Sequence, residues 1–341
     1  MAATSRELVH QTLDFRGPTR APRHLWHLPW AQMTFPREFD AILRDFPPDI
    51  NMANGRLRQP PPTRGDAYEV GQYVDEWGCT FHNLHRGVIG EVRTPLITDW
   101  DADASKVVFP TGWLTIDRDA VNRDCAASDQ FQVAGIVPRP FERLQFLRTS
   151  EELYMDLADP PDSMLAFLKR LHEFYCQLFE AWCRTDIDAI FFMDDWGSQN
   201  ALLINPALWR EMFKPLYADY IGIAHAAGKK AFMHSDGHLL AILPDLVEIG
   251  LDALNSQIFC MGAENMAPYA GKITFWGEID RQYLLARGST QEVAAAVREV
   301  HHHLWRNGGC IAQCEFGAGA KPENVRAVFE TWDSLAAATC P

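Results

Sequence analysis

The sequence has no apolar run near the ~20 residues that a membrane-crossing helix needs. Its first residues, Met1 to Gly17, lack a basic segment followed by an apolar core. The reading is a water-soluble cytoplasmic protein without a secretory signal. Clustered positive charge is also missing: 31 Lys and Arg stand against 45 Asp and Glu, a formal net charge of −14. Phosphate-backbone binding needs the opposite balance, which excludes nucleic-acid partners but not small substrates, since a local basic pocket can exist on an acidic protein. No Gly-rich phosphate fingerprint follows a first strand, which argues against a dinucleotide-binding sheet. Eight cysteines (Cys79, Cys125, Cys176, Cys183, Cys260, Cys310, Cys314, Cys340) are scattered without disulfide-framework spacing. In a reducing compartment they read as small buried hydrophobes, with one or two available as ligands.

What is present is apolar mass, 47% of residues against 22% charged, with 11 Trp and 20 Phe. That supplies a large core and an aromatic-lined pocket. The second half repeats one pattern, a short apolar run ending in polar residues and then an amphipathic segment of helix length. Residues 189–193, 230–234, 251–256, 272–277 and 310–314 read as strands. Residues 206–226, 239–249, 290–306 and 322–332 read as helices, with Gly228 closing the first and Ser289 or Thr290 capping the third. Such alternation implies parallel βα units. Polar clusters at the ends of the late strands favour a barrel over an open sheet. The expected fold is therefore α/β, a TIM-type (β/α)8 barrel, one domain over residues 1–341. Residues 1–130 are less regular. Early strands are expected at 23–28, 49–52 and 132–137. A proline-rich loop (Gln59 to Pro62) and a hairpin through 73–92 are expected as insertions over the barrel mouth.

Several strand ends carry chemistry. In His234-Ser235-Asp236-Gly237, alternation puts His234 and Asp236 on one strand face, where they can bind a metal or form an acid/base pair. A bland alternative is a hydrogen-bonded His beside a helix-capping Asp. Cys314, at the end of the last strand, can complete a three-ligand zinc set with them, or be a core thiol; Cys310 reads as core. Glu278 and Asp280 follow one strand. Gly277 permits a turn between them, so Glu278 should stay at the mouth, as a base or a fourth ligand, and Asp280 should cap. Asp194-Asp195-Trp196 and Gln199 end another strand, with Asp195 as a proton-transfer group and Asp194, Trp196 and Gln199 as substrate contacts. Gln313 on the last strand and Cys79, within Asp75-Glu76-Trp77-Gly78-Cys79 of a lid, are further candidates for substrate contact. His301-His302-His303 fan around a helix and cannot converge on one ion.

Residues 141–332 resemble the uroporphyrinogen decarboxylase superfamily. The likeness is carried by Asp194-Asp195-Trp196-Gly197-Ser198-Gln199, His234-Ser235-Asp236-Gly237, Phe275-Trp276-Gly277-Glu278-Ile279-Asp280 and Gly308-Gly309-Cys310-Ile311-Ala312-Gln313-Cys314. Pro140-Phe141-Glu142-Arg143-Leu144 and Asp75-Glu76-Trp77-Gly78-Cys79 look similar to the family's bacterial branch. Members that decarboxylate porphyrinogens carry an N-terminal Arg-Gln-Ala-Gly-Arg segment. This chain has His27-Leu28-Pro29-Trp30-Ala31-Gln32-Met33 there. In the zinc methyltransferase branch, a His-x-Cys-Gly motif and a later Cys bind zinc. His234 and Cys314 match that set, and Asp236 replaces the first Cys. The resemblance thus implies a zinc-dependent methyltransferase of the corrinoid/thiol type, with zinc at His234, Asp236 and Cys314, a small-molecule substrate and a corrinoid protein as partner. Two other readings stand beside it. One is a metal-free decarboxylase or lyase acting on a non-porphyrin acid through Asp195 and His234; the other is a non-catalytic ligand-binding barrel. An oligomer is compatible with all three.

Overall fold

A computed structural model describes residues 3–339; Cys340 lies outside the described residues. Eight parallel strands form the barrel wall: β1 (Arg23–His27), β2 (Ile50–Ala53), β3 (Phe131–Ala134), β4 (Ala189–Met193), β5 (Lys230–Ser235), β6 (Ala253–Ser256), β7 (Thr274–Trp276) and β8 (Cys310–Phe316). Their order around the sheet is β1-β8-β7-β6-β5-β4-β3-β2. The first and last strands of that order, β1 and β2, meet across a seam without a ladder. The expected (β/α)8 fold is present as a nearly closed barrel.

Side-chain alternation divides each strand between two cores. Ile50, Phe131, Val133, Ala189, Phe191, Phe232, Ala253, Trp276 and Ile311 fill the barrel interior, and their neighbours in sequence pack outward beneath the helices. Residues in regular positions two apart share a face. The interior residues therefore mark which polar residues beyond them reach the mouth.

The first 130 residues contain more helix than their sequence pattern suggested. Ser5–Leu13, Pro36–Asp45 and Arg118–Ala126 are helical. The first opens with a capping box, Thr4 to the Glu7 N–H and the Glu7 carboxylate back to the Thr4 N–H. Its Val9 and Leu13 join the interior core, so this helix plugs the amino end of the barrel. Conversely, the helix expected over 206–226 is two, Pro206–Met212 and Lys214–Ala226. Pro215 has no N–H for a continuous ladder and suits the first turn of a new helix.

The expected hairpin is a three-stranded antiparallel sheet of Gly71–Val74, Thr80–Asn83 and Glu91–Val92. A buried ion pair ties it to the helix Pro140–Arg148: Arg143 Nη1 lies 2.6 Å from Asp75 Oδ2. Asp75 Oδ1 accepts from the N–H groups of Trp77 and Cys79, and the Arg143 guanidinium lies over the Trp77 ring. Among the described residues no helix is long and apolar enough to cross a membrane.

Candidate functional site

The strand ends after β4 and β5 continue side by side beyond the regular ladder. The N–H of Asp194 donates to the His234 carbonyl, Trp196 N–H to Ser235 Oγ, and Gly197 N–H to the Asp236 carbonyl. The two segments cross at Gly197 and Gly237, whose backbones touch so closely that a Cβ on either would overlap the other; Gly237 also has φ +79°. Only glycine fits such a crossing. This explains why both motifs end in glycine, and it sets Asp195 beside His234 and Asp236.

Asp195, His234 and Asp236 bring their ligand atoms within 4.8 Å of one another. His234 Nε2 is 3.5 Å from Asp195 Oδ1 and 3.6 Å from Asp236 Oδ1. The other ring nitrogen, Nδ1, is 2.6 Å from Asn255 Oδ1. Asn255 Nδ2 donates to the Trp276 carbonyl, which can only accept. The amide oxygen therefore faces His234, Nδ1 must carry a proton, and in the neutral ring Nε2 presents its lone pair to the carboxylates. Asp236 Oδ1 is buried and has no hydrogen-bond partner. Its Oδ2 meets Arg281.

Arg281 also contacts Glu278 Oε1 at 3.1 Å and Glu315 Oε2 at 3.0 Å. Asp236, Glu278 and Glu315 are thus three acidic groups around one guanidinium, and Asp195 lies across His234 from them. Burial pushes the Glu278 carboxyl up to about 8, against the pull of Arg281. Asp280 is half-buried and accepts from the N–H groups of Gln282 and Tyr283, a turn cap. Gln199 is at the rim, bonded to Gln282, and lines a cavity of about 130 Å³ with Glu278 and Arg281.

Other candidates are held away from this group. Asp194, out of phase with Phe191 and Met193, is fully buried on the helix side of β4. Its carboxylate accepts from the N–H groups of Phe141 and Glu142 and from the Tyr217 hydroxyl, capping the helix Pro140–Arg148. Burial and the nearby Glu142 carboxyl push Asp194 well above the usual carboxylate range. Trp196 is buried, stacked on Phe141 at 4.1 Å, and donates to Tyr217. Cys79 is fully buried beside Arg143, its thiol pushed up to about 12 by burial.

Cys314 departs most clearly from expectation. Ile311 faces the barrel interior, so Gln313 and Glu315 do too; Cys310, Ala312, Cys314 and Phe316 pack into the outer core. The set His234–Asp236–Cys314 does not assemble, and Asp195 takes the third position. Cys314 is a buried thiol whose pKa burial raises. Gln313 is fully buried, and neither end of its carboxamide has a hydrogen-bond partner.

Four residues at the site were not read from the sequence. Asn255 lies two beyond the interior Ala253, and Glu315 two beyond Gln313, so alternation would have found both. Arg281 stands three after Glu278, a spacing at which side chains meet on a helical turn. Glu142, buried and 3.2 Å from Arg139, comes from the helix after β3, and its local pattern carries no signal.

One comparison with a solved structure supports the barrel. A methyltransferase from Methanosarcina mazei superposes with a TM-score of 0.67 at 14% identity, over 98% of this chain and 99% of that one. The 3-keto-D-glucoside 4-epimerase YcjR from E. coli gives 0.41 at 10% identity, over 65% and 86%. A family 10 endo-β-1,4-xylanase from Gloeophyllum trabeum gives 0.40 at 11%, over 63% and 79%. At 14% identity the likeness to the methyltransferase speaks to fold alone, and the two weaker superpositions carry no argument. A search of curated proteins finds no match. The model of the uroporphyrinogen decarboxylase family, a family of enzymes, matches residues 75–335, and the chain belongs to that family.

Proposed function

We propose that the chain is a metal-dependent methyltransferase of the corrinoid/thiol type, with zinc held by Asp195, His234 and Asp236. The observation that carries this is the His234 Nε2 lone pair, fixed by Asn255 and flanked by two carboxylate oxygens. One of those oxygens, Asp236 Oδ1, is buried without a partner, a costly state unless a cation or donor meets it. The excess of carboxylates over Arg281 also suits a divalent ion. Imidazole and carboxylate are ordinary zinc ligands.

A bound zinc ion would lower the pKa of an acceptor thiol or hydroxyl, making it a nucleophile near neutral pH. The chain's residues supply the rest. Asn255 orients the His234 ring, and Arg281 holds Asp236 in place. Glu278, in its ionised form, takes the proton that the acceptor loses. The acceptor's sulfur or oxygen then bonds to the methyl carbon as the bond to the methyl carrier breaks. A corrinoid protein is the carrier in this reading.

Metal analysis of protein purified without chelator or His-tag tests the proposal, together with methyl transfer from free methylcobalamin to 2-mercaptoethanol. One zinc per chain, lost in Asp195→Asn and His234→Ala but kept in Cys314→Ser, is the expected result. Absence of any transition metal sinks it.

The raised Glu278 favours a second reading. A carboxyl that keeps its proton at neutral pH can deliver it to a carbanion, as a metal-free decarboxylase or lyase requires. Metal-independent CO₂ release would select that reading.

A further inference from the structure

The seam between β1 and β2 opens by design. At the amino end the strands are pinned: Asp49 N–H donates to the Arg23 carbonyl, and Asp49 Oδ2 accepts from the Arg23 N–H. Asp49 is itself buried and held by Arg20 and Ser5. Beyond this pin no ladder joins the two strands, and a cavity of about 530 Å³ occupies the gap. That is the size of a small-molecule site. Trp26, Met52, Phe191 and Met193 line its inner part, and Leu43 closes it from the helix side.

The gap adjoins the candidate metal group. The Trp26 ring is 5.2 Å from the His234 ring, and Met193 lies opposite His234 in the β4–β5 register. Glu315 lines the gap and contacts Arg281, which holds Asp236. Among the described residues no Lys or Arg lines it, its acidic group is already paired with Arg281, and burial lowers the pKa of its two histidines, His24 and His27, so no positive charge awaits an anion there. Aromatic rings and thioethers instead offer flat, polarisable contacts to another ring.

We propose that this slot is the substrate pocket, entered between β1 and β2 and shaped for a neutral, ring-sized aromatic molecule whose reactive group points past Trp26 toward His234. The assignment of the ligand as substrate rests on the methyltransferase reading; occupancy of the slot by a neutral ring does not. Met52 and Leu43 shape the pocket without touching the metal group.

The test uses 4-bromophenol, neutral at pH 7, against 4-bromobenzoate, an anion of similar shape. Calorimetry on the full chain should show 4-bromophenol binding, with affinity at least tenfold weaker for 4-bromobenzoate and for Met52→Trp, which fills the slot. Chelator-treated protein should bind 4-bromophenol equally well, which separates the slot from the metal proposal. Crystals soaked with 4-bromophenol should show the bromine between Trp26 and Met52, a readout that needs no variant. Equal binding of the anion, unchanged affinity in a folded Met52→Trp, or bromine only in the hollow lined by Pro60–Pro62 and Val107–Phe109 would overturn the proposal.

Discussion

His234 donates its Nδ1 proton to Asn255 Oδ1 across 2.6 Å, and the pair decides which ring nitrogen faces the carboxylates. Removing the partner should therefore matter more to the metal than to the fold's outline. Asn255→Leu should weaken zinc binding roughly ten- to a hundredfold, as loss of a ligand's supporting hydrogen bond does. Competition with a chromophoric chelator measures this. Unchanged affinity would show that Asn255 does not set the tautomer.

Cys314 packs against the helix layer, so Cys314→Ser should leave metal content unchanged. It should cost about 1–3 kcal/mol of stability, because it places a hydroxyl in an apolar site. Elemental analysis beside a thermal melt reads both effects. Loss of metal without loss of stability would restore Cys314 to the ligand set.

Glu278 makes stability depend on pH in the metal-free protein. Its native pKa of about 8 lies above its ordinary 4.5, so the folded state keeps a proton that the unfolded chain releases between those values. Stability should fall as pH rises through that window and level off above it, by at most about 5 kcal/mol. Glu278→Gln should lack this fall, as denaturant melts across pH 4–9 would show. Activity separates the two functional readings: rates rise toward pH 8 if Glu278 is a base and decline above pH 8 if it is an acid. Asp280→Asn, which removes a turn cap, should cost roughly 1 kcal/mol and leave turnover intact.

Asp75 and Arg143 are both buried, and removing one leaves the other unpaired in the core. Asp75→Ala should lose about 3–5 kcal/mol. Protease cleavage within residues 60–95 should rise in step. A loss below 1 kcal/mol would mean that packing of Trp77, not the ion pair, seats the sheet.

Much of the architecture was legible because most barrel strands are buried on both faces and read as short apolar runs. Short apolar runs alternating with helix-length segments specified parallel βα units, and polar residues after Met193, Met233 and Trp276 marked the mouth. Phase within a strand end was partly legible. Had Phe191 and Met193 been taken as interior, Asp195 would have been assigned to the mouth and Asp194 to the helix layer. Strand β8 gave no such guide, since Cys310, Ile311, Ala312 and Cys314 are all apolar enough for either core. A one-residue change of phase turns every side chain to the other face.

The sequence by itself determined the barrel class, the His234–Asp236 pair on one strand face, and the glycines that let two strand ends cross. Only the tertiary structure decided the third partner, Asp195 in place of Cys314, because that choice depends on how neighbouring strands are phased. It also decided that Arg281 gathers three carboxylates, and that β1 and β2 part above Asp49. Those relationships join residues distant in the chain, and local periodicity carries no information about contacts of that range.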